Sequence, residues 1–481
     1  MNYRIVGYTL GWVLNIEGVC LLLPFICSLI YHEKIAYVYP ICVGICLLFG
    51  ILLTARKPKN KAMYAKEGLV TVALSWIVMS IFGSLPFVIS GSIPSVIDAV
   101  FETVSGFTTT GASILSDVEA LPKSVAFWRS FTHWIGGMGV LVFLVALVPL
   151  SGGSNMYLIK AESTGPSVSK LVPKVKSTAK ILYSIYLGMT LILIIILRLG
   201  GMNLFESLIT AFGSAGTGGF GVRNSSLAEY SPFLQYVVAV AVLLFGVDFS
   251  VYYLILMGKK DKAFRSDEVK AYFLIAALAT AAICIVNMRT PGLDFTGEEH
   301  FRHSLFQVTS IMTTTGFATT DFNLWPEFSK MILVALMFIG ACAGSTGGGI
   351  KVSRVLLLLK SVGKEAKLAA HPKSVHKISM NGRPVAHETI RAVNVFMVAY
   401  LVIMAVSVLI ISADGHSFTT NFTAVAATLN NIGPGLDVVG PTSNFGFYSV
   451  LSKIVLILDM LMGRLEIFPM LVLFSPYSRK K

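Results

Sequence analysis

Long apolar runs dominate the chain, and the text that interrupts them is as regular as the runs. A membrane-spanning helix takes roughly 20 apolar residues, and by that ruler about ten runs qualify. They extend from Ile5 to Ile30, Ile35 to Thr54, Gly68 to Ser90, Val125 to Pro149, Ala179 to Leu199, Pro232 to Met257, Val269 to Asn287, Phe328 to Leu359, Val393 to Ser412 and Tyr448 to Phe474. Four half-apolar segments too short to cross lie between them: Val96 to Phe107, Leu204 to Gly213, His303 to Met312 and Phe418 to Leu429. Each leads into polar, glycine-bearing text: FTTTGAS from Phe107, GTGGFG from Gly216, MTTTGFATTDF from Met312 and LNNIGPGL from Leu429.

After two leading spans the chain therefore reads as one unit repeated four times: span, short segment, glycine-bearing loop, span. The period is about 100 residues, and Gly111, Gly219, Gly316 and Gly433 take equivalent places. The short segments open alike, with Phe101-Glu102, Phe205-Glu206, Phe306-Gln307 and Phe422-Thr423, although the distance to the glycine is longest in the second. The expected fold is an all-α polytopic membrane protein with two N-terminal transmembrane helices (1–66). Four helix–pore-loop–helix repeats follow around one central pore: 67–150, 151–258, 259–360, and 361–481, the last led by a cytosolic linker.

Composition agrees, since 55% of the 481 residues are hydrophobic and only 13% charged, a balance of polytopic membrane proteins. Cys20, Cys27, Cys42, Cys46, Cys284 and Cys342 all sit inside apolar runs without paired spacing, so they are expected to be packing residues. The first run lacks a signal-peptide cleavage pattern and is expected to stay as a helix. Lys and Arg gather in alternate loops: Arg56 to Lys66, Lys160 to Lys180, Lys259 to Lys270, Lys351 to Arg391, and the tail Arg479, Lys480, Lys481. By the positive-inside rule these loops are cytoplasmic, as are both termini. All four short segments then fall on the outer side. Topology thus accounts for a net charge of +13 without nucleic acid.

Four polar loops at matching topological positions have a physical reading. Non-helical backbone at membrane depth is tolerated only where it is buried in protein or lines water. A short helix entering from outside points its partly negative C-terminus inward, and the returning loop presents carbonyls to a shared axis. Glycine supplies backbone angles closed to other residues, while the threonines either add hydroxyl ligands or tie the loops to their surroundings. Carbonyl rings of this kind replace the hydration shell of potassium. The candidate ion-coordinating residues are Thr109, Thr110, Gly111, Gly218, Gly219, Thr314, Thr315, Gly316, Asn431, Ile432 and Gly433.

These motifs, TTTGA at Thr108, TGGF at Thr217, TTTGF at Thr313, AGSTGGGIK at Ala343, NNIGPGL at Asn430 and GRLEIF at Gly463, together resemble the Trk/Ktr/HKT superfamily, most closely its TrkH type. The resemblance covers nearly the whole chain, the two extra N-terminal spans included. It implies a potassium-translocating subunit with K+ as the transported ion, homodimerisation, and a cytosolic ring of nucleotide-binding RCK subunits of the TrkA kind. It further implies potassium preference where all four filter positions are glycine, as here, and a place in the bacterial cytoplasmic membrane, in contact with lipid.

Two further stretches bear on mechanism. GACAGSTGGGIK, from Gly340 to Lys351, interrupts the eighth span with small and polar residues, so the helix is expected to break and the loop Gly344, Ser345, Thr346, Gly347, Gly348, Gly349 to lie below the filter. The family segment at this place acts as an intramembrane gate. The other reading is that these glycines only permit close helix packing. A phosphate-binding loop is excluded, because Ile350 separates Gly349 from Lys351 and no strand precedes. Arg464 lies deep in the last span, where a charge faces a cavity or a partner; it either faces the pore or pairs with Glu466, Asp459 or, across the axis, Asp248. In the family such a residue shapes cation flow together with the gate. Glu17 is read as a packing hydrogen-bond group and His133 as structural. No nucleophile stands beside a base, so an enzyme is not expected. A channel-like uptake protein is the leading hypothesis. An ion-coupled (H+ or Na+) symporter, or a less selective Na+/K+ pathway, remains the alternative, loops two and four departing from TTTG.

Overall fold

The computed structural model describes residues 1–58, 63–139, 175–263 and 265–475. Among them the chain is helical between its loops, apart from one hairpin that pairs Ser379–Met380 with Arg383–Pro384. Six helices are long and apolar enough to cross a membrane, Tyr3–Ile30, Lys34–Thr54, Ala65–Ile89, Thr178–Leu199, Asp267–Met288 and His387–Asp414. Four shorter or broken rods complete the expected set: Lys123–Gly137, Pro232–Phe245 with Phe249–Leu256, Glu327–Met337 with Val352–Ala370, and Val450–Arg464 with Phe468–Phe474. The continuation of the fourth span to Pro149, the boundary at 150, and Lys59, Lys61, Lys160, Lys170, Lys174 and the Arg479 to Lys481 tail lie outside the described residues.

The four short segments are helices: Val96–Phe107, Leu204–Ala215, Gly297–Met312 and Phe418–Leu429. Each begins on a residue whose side chain accepts one of the first-turn N–H groups that have no partner within the helix: Ser95 from Asp98, Asn203 from Glu206, Thr296 from Glu299 and Ser417 from Thr420. This is ordinary N-capping, and it corrects the alignment read from Phe and Glu. Glu206 is the third residue of its helix, where Asp98 stands in the first, so Glu206 matches Asp98 and not Glu102. Counted back from the glycines, the caps of the first, second and fourth helices are in register, and the third helix is longer at its start by about one turn. The third helix also starts six residues earlier than the apolar text suggests, because its first turns, GEEHFR, are polar.

Backbone and side-chain bonds latch neighbouring units together on the face bearing the loops. Val118 N–H donates to Asn224 Oδ1 at 2.8 Å, Leu227 N–H to the Ala318 carbonyl at 2.9 Å, Asp437 N–H to Asn323 Oδ1 at 2.9 Å, and Phe445 N–H to the Ser113 carbonyl at 2.8 Å. These join units one and two, two and three, three and four, and four and one. The circle is closed at this level before the site itself is considered.

Candidate functional site

Each short helix stops in the same way. Beyond its last residue and one near-helical residue, the chain enters the left-handed region, at Thr109 (φ 55°), Thr217 (52°), Thr314 (58°) and Asn431 (55°). Two residues further the glycine is left-handed as well: Gly111 (80°), Gly219 (80°), Gly316 (86°) and Gly433 (101°). A left-handed non-glycine residue costs roughly 1–2 kcal/mol, and capping bonds offset it. The N–H groups of Thr110, Gly218, Thr315 and Ile432 donate to the carbonyls of Ser105, Gly213, Ser310 and Ala427 at 2.8, 2.8, 2.7 and 2.8 Å, as in a Schellman cap. The amide side of every loop is thus turned toward its own helix.

Where the carbonyls of those same residues go is fixed by the glycines. A Cβ placed on Gly111 would stand 2.1 Å from the Gly218 oxygen, and one on Gly219 would stand 2.0 Å from that of Thr315. On Gly316 it would meet the Ile432 oxygen at 2.2 Å, and on Gly433 the Thr110 oxygen at 2.8 Å. The contacts run from loop one to two, two to three, three to four and four back to one. A cavity of about 130 Å³, lined by Gly111, Gly219, Gly316 and Gly433 together with the outer loops, opens beside this ring. The result is a closed ring of uncharged, hard oxygen donors, a donor set that can replace the hydration shell of a monovalent cation.

Of the two roles open to the threonines, the geometry favours the tie. The Thr110 and Thr315 hydroxyls lie 2.8 and 2.7 Å from those of Thr108 and Thr313, which donate to the Val104 and Thr309 carbonyls at 2.7 Å each. In loop four Asn431 Nδ2 donates to Thr110 Oγ1 and to the Met460 carbonyl, both at 2.9 Å. At the outer mouth Glu102 accepts from Arg129 Nε at 2.6 Å and from Ile114 N–H at 2.9 Å. A buried ion pair therefore holds the start of the chain leaving loop one.

Beyond the ring the second helix is interrupted in units two, three and four, and in the first unit it ends at Gly137. Lys123–Gly137 is followed by left-handed Gly139, and Pro232–Phe245 meets Phe249–Leu256 at 90°. Glu327–Met337 is separated from Val352–Ala370 by a stretch with Gly340, Gly344, Gly349 and Lys351 at positive φ, and Val450–Arg464 ends at left-handed Glu466 and Ile467. Only the third break was expected. The spans expected to run unbroken from Pro232 to Met257 and from Tyr448 to Phe474 are corrected by this. The physical reason in the second unit is that the freed backbone groups find donors and acceptors on the third: Phe249 N–H donates to the Gly344 carbonyl at 3.1 Å, and Cys342 N–H to the Gly246 carbonyl at 3.0 Å.

The loop Gly344, Ser345, Thr346, Gly347, Gly348, Gly349 lies against the ring. A Cβ on Gly347 would stand 2.9 Å from the Thr313 oxygen, and one on Gly348 would stand 2.6 Å from that of Asn430. Gly348 N–H donates to Thr314 Oγ1 at 2.6 Å. The glycines thus permit a loop to approach the ring, rather than two helices to pack. Arg464 crosses the same space. Its Nη1 donates to the Thr346 carbonyl at 2.8 Å and to Thr109 Oγ1 at 3.3 Å, and its Nη2 to the Gly136 and Gly137 carbonyls at 2.6 and 2.7 Å. Insertion of an arginine at bilayer depth costs about 3 kcal/mol on translocon scales, and hydrogen bonds from a charged donor return about 1.5–3 kcal/mol each. Four such bonds outweigh the cost. Nearby, Glu466 accepts from Arg354, Asp459 from Ser407 at 2.8 Å, and Asp248 from Ser250 N–H at 2.8 Å.

Comparison with known proteins bears directly on this arrangement. Residues 40–480 match the family described as TrkH, cation transport protein. The chain belongs to the TrkH family. It is 35% identical to the Trk system potassium uptake protein TrkH of Salmonella typhimurium, over 99% of both chains. It is 32% identical to the protein TrkG of Escherichia coli, over 99% of this chain and 98% of that one. The crystal structure of the potassium transporter TrkH from Vibrio parahaemolyticus superposes with a TM-score of 0.89 at 33% identity, covering 100% of each chain. A multi-span helical membrane transporter is therefore the class of this protein, not an enzyme.

Within this TrkH-family chain, sequence reading passed over two adjacent carboxylates. Glu268 accepts from Ala343 N–H at 2.7 Å and from Ser353 N–H at 3.0 Å, and so pins both ends of the loop. Asp267 exchanges bonds with Asn381 of the hairpin, accepting its N–H at 3.0 Å and donating its own at 2.7 Å, and it holds Lys360 at 3.2 Å. Hydropathy placed both at the ragged start of a span, where acidic residues commonly cap a helix, and nothing in the pattern singled them out. Hydrogen bonds to a charged group contribute about 1.5–3 kcal/mol each. Glu268→Ala is therefore expected to raise amide hydrogen exchange across 340–353 by about tenfold or more, with the short helices unchanged; equal protection in the variant would show that the loop is held by other contacts.

Proposed function

We propose that this protein takes up potassium through a four-loop selectivity filter, in channel-like fashion, across the bacterial cytoplasmic membrane. The filter residues are Thr109, Thr110 and Gly111, Gly218 and Gly219, Thr314, Thr315 and Gly316, and Asn431, Ile432 and Gly433. The observation that carries this reading is the closed circuit in which each glycine leaves room for the carbonyl of the next loop. Four helix C-termini, each equivalent to about −0.5 elementary charge, converge on that circuit and favour a cation there without a fixed carboxylate. Potassium is the cation named for the relatives, and a glycine at all four positions agrees with it.

The loop from Gly344 to Gly349, with Arg464, is the gate in this reading: its contacts with Thr314, Thr109 and the carbonyls of the first unit obstruct the path on the inner side of the ring. Cytosolic nucleotide-binding subunits of the TrkA kind would act on it from the basic face that includes Lys360 to Arg391, with the termini on the same side and two copies of the chain per assembly. The units divide at 66, 150, 258 and 360.

Rubidium and sodium uptake into proteoliposomes at imposed voltage, without a proton gradient, tests the proposal. Voltage-driven rubidium flux that excludes sodium is the expected result; flux that requires a proton or sodium gradient would make the protein a coupled symporter and the ring a binding site. Gly111→Ser, which forces a side chain toward the Gly218 oxygen at a left-handed position, is expected to lower rubidium-over-sodium discrimination several-fold in this assay. Arg464→Ala is expected to raise flux with selectivity kept, and unaltered flux in folded protein would refute its role as an obstruction.

A further inference from the structure

Loops one and three place a threonine before the filter glycine, and each is held from behind by a second threonine hydroxyl, at 2.8 and 2.7 Å. Loop two has Gly218 at that place. A Cβ there would lie 2.3 Å from Nδ1, 2.4 Å from Cγ and 2.6 Å from Cε1 of His133, so the space behind the loop is filled by an imidazole from the helix Lys123–Gly137 of the first unit. The ring is wholly buried, with the Ser105 backbone beside it as a hydrogen-bond partner. Phe220 stacks on it with centroids 4.2 Å apart, and the His133 carbonyl lies 2.3 Å from the Cβ position of Gly216. The loop from Gly216 to Phe220 is thus moulded on one residue of the neighbouring unit.

We propose that His133 is a positioning residue for the filter: its imidazole takes the place of the threonine side chain that loop two lacks, and the pair His133 and Gly218 sets where the Gly218 carbonyl stands in the ring. This rests on the reading of the ring as an ion filter. Glycine has the widest conformational freedom of any residue, so a glycine carbonyl keeps its place only while something behind it forbids retreat. A residue that merely filled the core would contribute stability without coupling specifically to position 218.

The test is an exchange between the two positions, read in proteoliposomes by rubidium and sodium flux and in detergent by thermal unfolding. His133→Ala is expected to lower rubidium-over-sodium selectivity several-fold, and His133→Ala with Gly218→Thr to restore most of it, since the hole then holds the β-branched side chain that loops one and three use. Gly218→Thr alone is expected to unfold at lower temperature than the double variant, because both side chains compete for one space. Selectivity unchanged in His133→Ala, or lost equally in single and double variants, overturns the proposal. If His133→Ala does not assemble, recovery of fold and selectivity in the double variant carries the same information, and failure to recover counts against the pair. A wild-type protein that does not discriminate rubidium from sodium would sink the filter reading instead, and the unfolding comparison would still decide whether the two positions share one space.

Discussion

Backbone carbonyls at membrane depth must find a partner, because lipid offers none, and the architecture around the site follows from that requirement. A helix that ends inside the bilayer strands its last carbonyls. Here four helices end together, and each folds its next N–H groups back onto those carbonyls at 2.7 to 2.8 Å. The loop oxygens that remain face the glycines of the neighbouring loops. The left-handed threonines and asparagine are the backbone consequence of that turn, not independent strain.

The same constraint governs the other side of the ring. Helix ends on that side expose a second set of backbone groups, and the third unit's glycine loop, Arg464 and the helix ends of the first and second units satisfy one another. A guanidinium suits this place better than an ammonium would, since its fixed fork of donors can reach carbonyls of two different units at once. The arrangement is therefore well bonded in its own right.

Much of the fold was legible in the sequence. Repeated spans, short segments and glycine loops follow from periodicity and composition, and the equivalence of Gly111, Gly219, Gly316 and Gly433 survives in their shared dihedral angles. What misled was local chemistry. Phe205-Glu206 looked like Phe101-Glu102, but the caps Ser95 and Asn203 align Glu206 with Asp98, and a cap side chain is a weaker signal in text than an aromatic pair. The breaks at Val247 and at Glu466 to Ile467 went unseen because their flanks are apolar and the partners that allow them lie about a hundred residues away. Arg464 was rightly taken as a residue that must be satisfied, and the backbone carbonyls that bond it were not foreseen. Carbonyls leave no mark in a sequence.

The circuit of glycines and carbonyls also has a direction. Every loop leans on the next in chain order, so the ring has a rotational sense although its four members differ in sequence. Three seams are tight, with 2.0 to 2.2 Å from the Cβ position to the facing oxygen, and the fourth, between Gly433 and Thr110, is open to 2.8 Å. That is the seam where the last unit meets the first. It is also the seam bridged by a side chain, Asn431 to Thr110 at 2.9 Å. The asparagine in place of the threonine of the other loops acts as a clasp across the widest joint of the band.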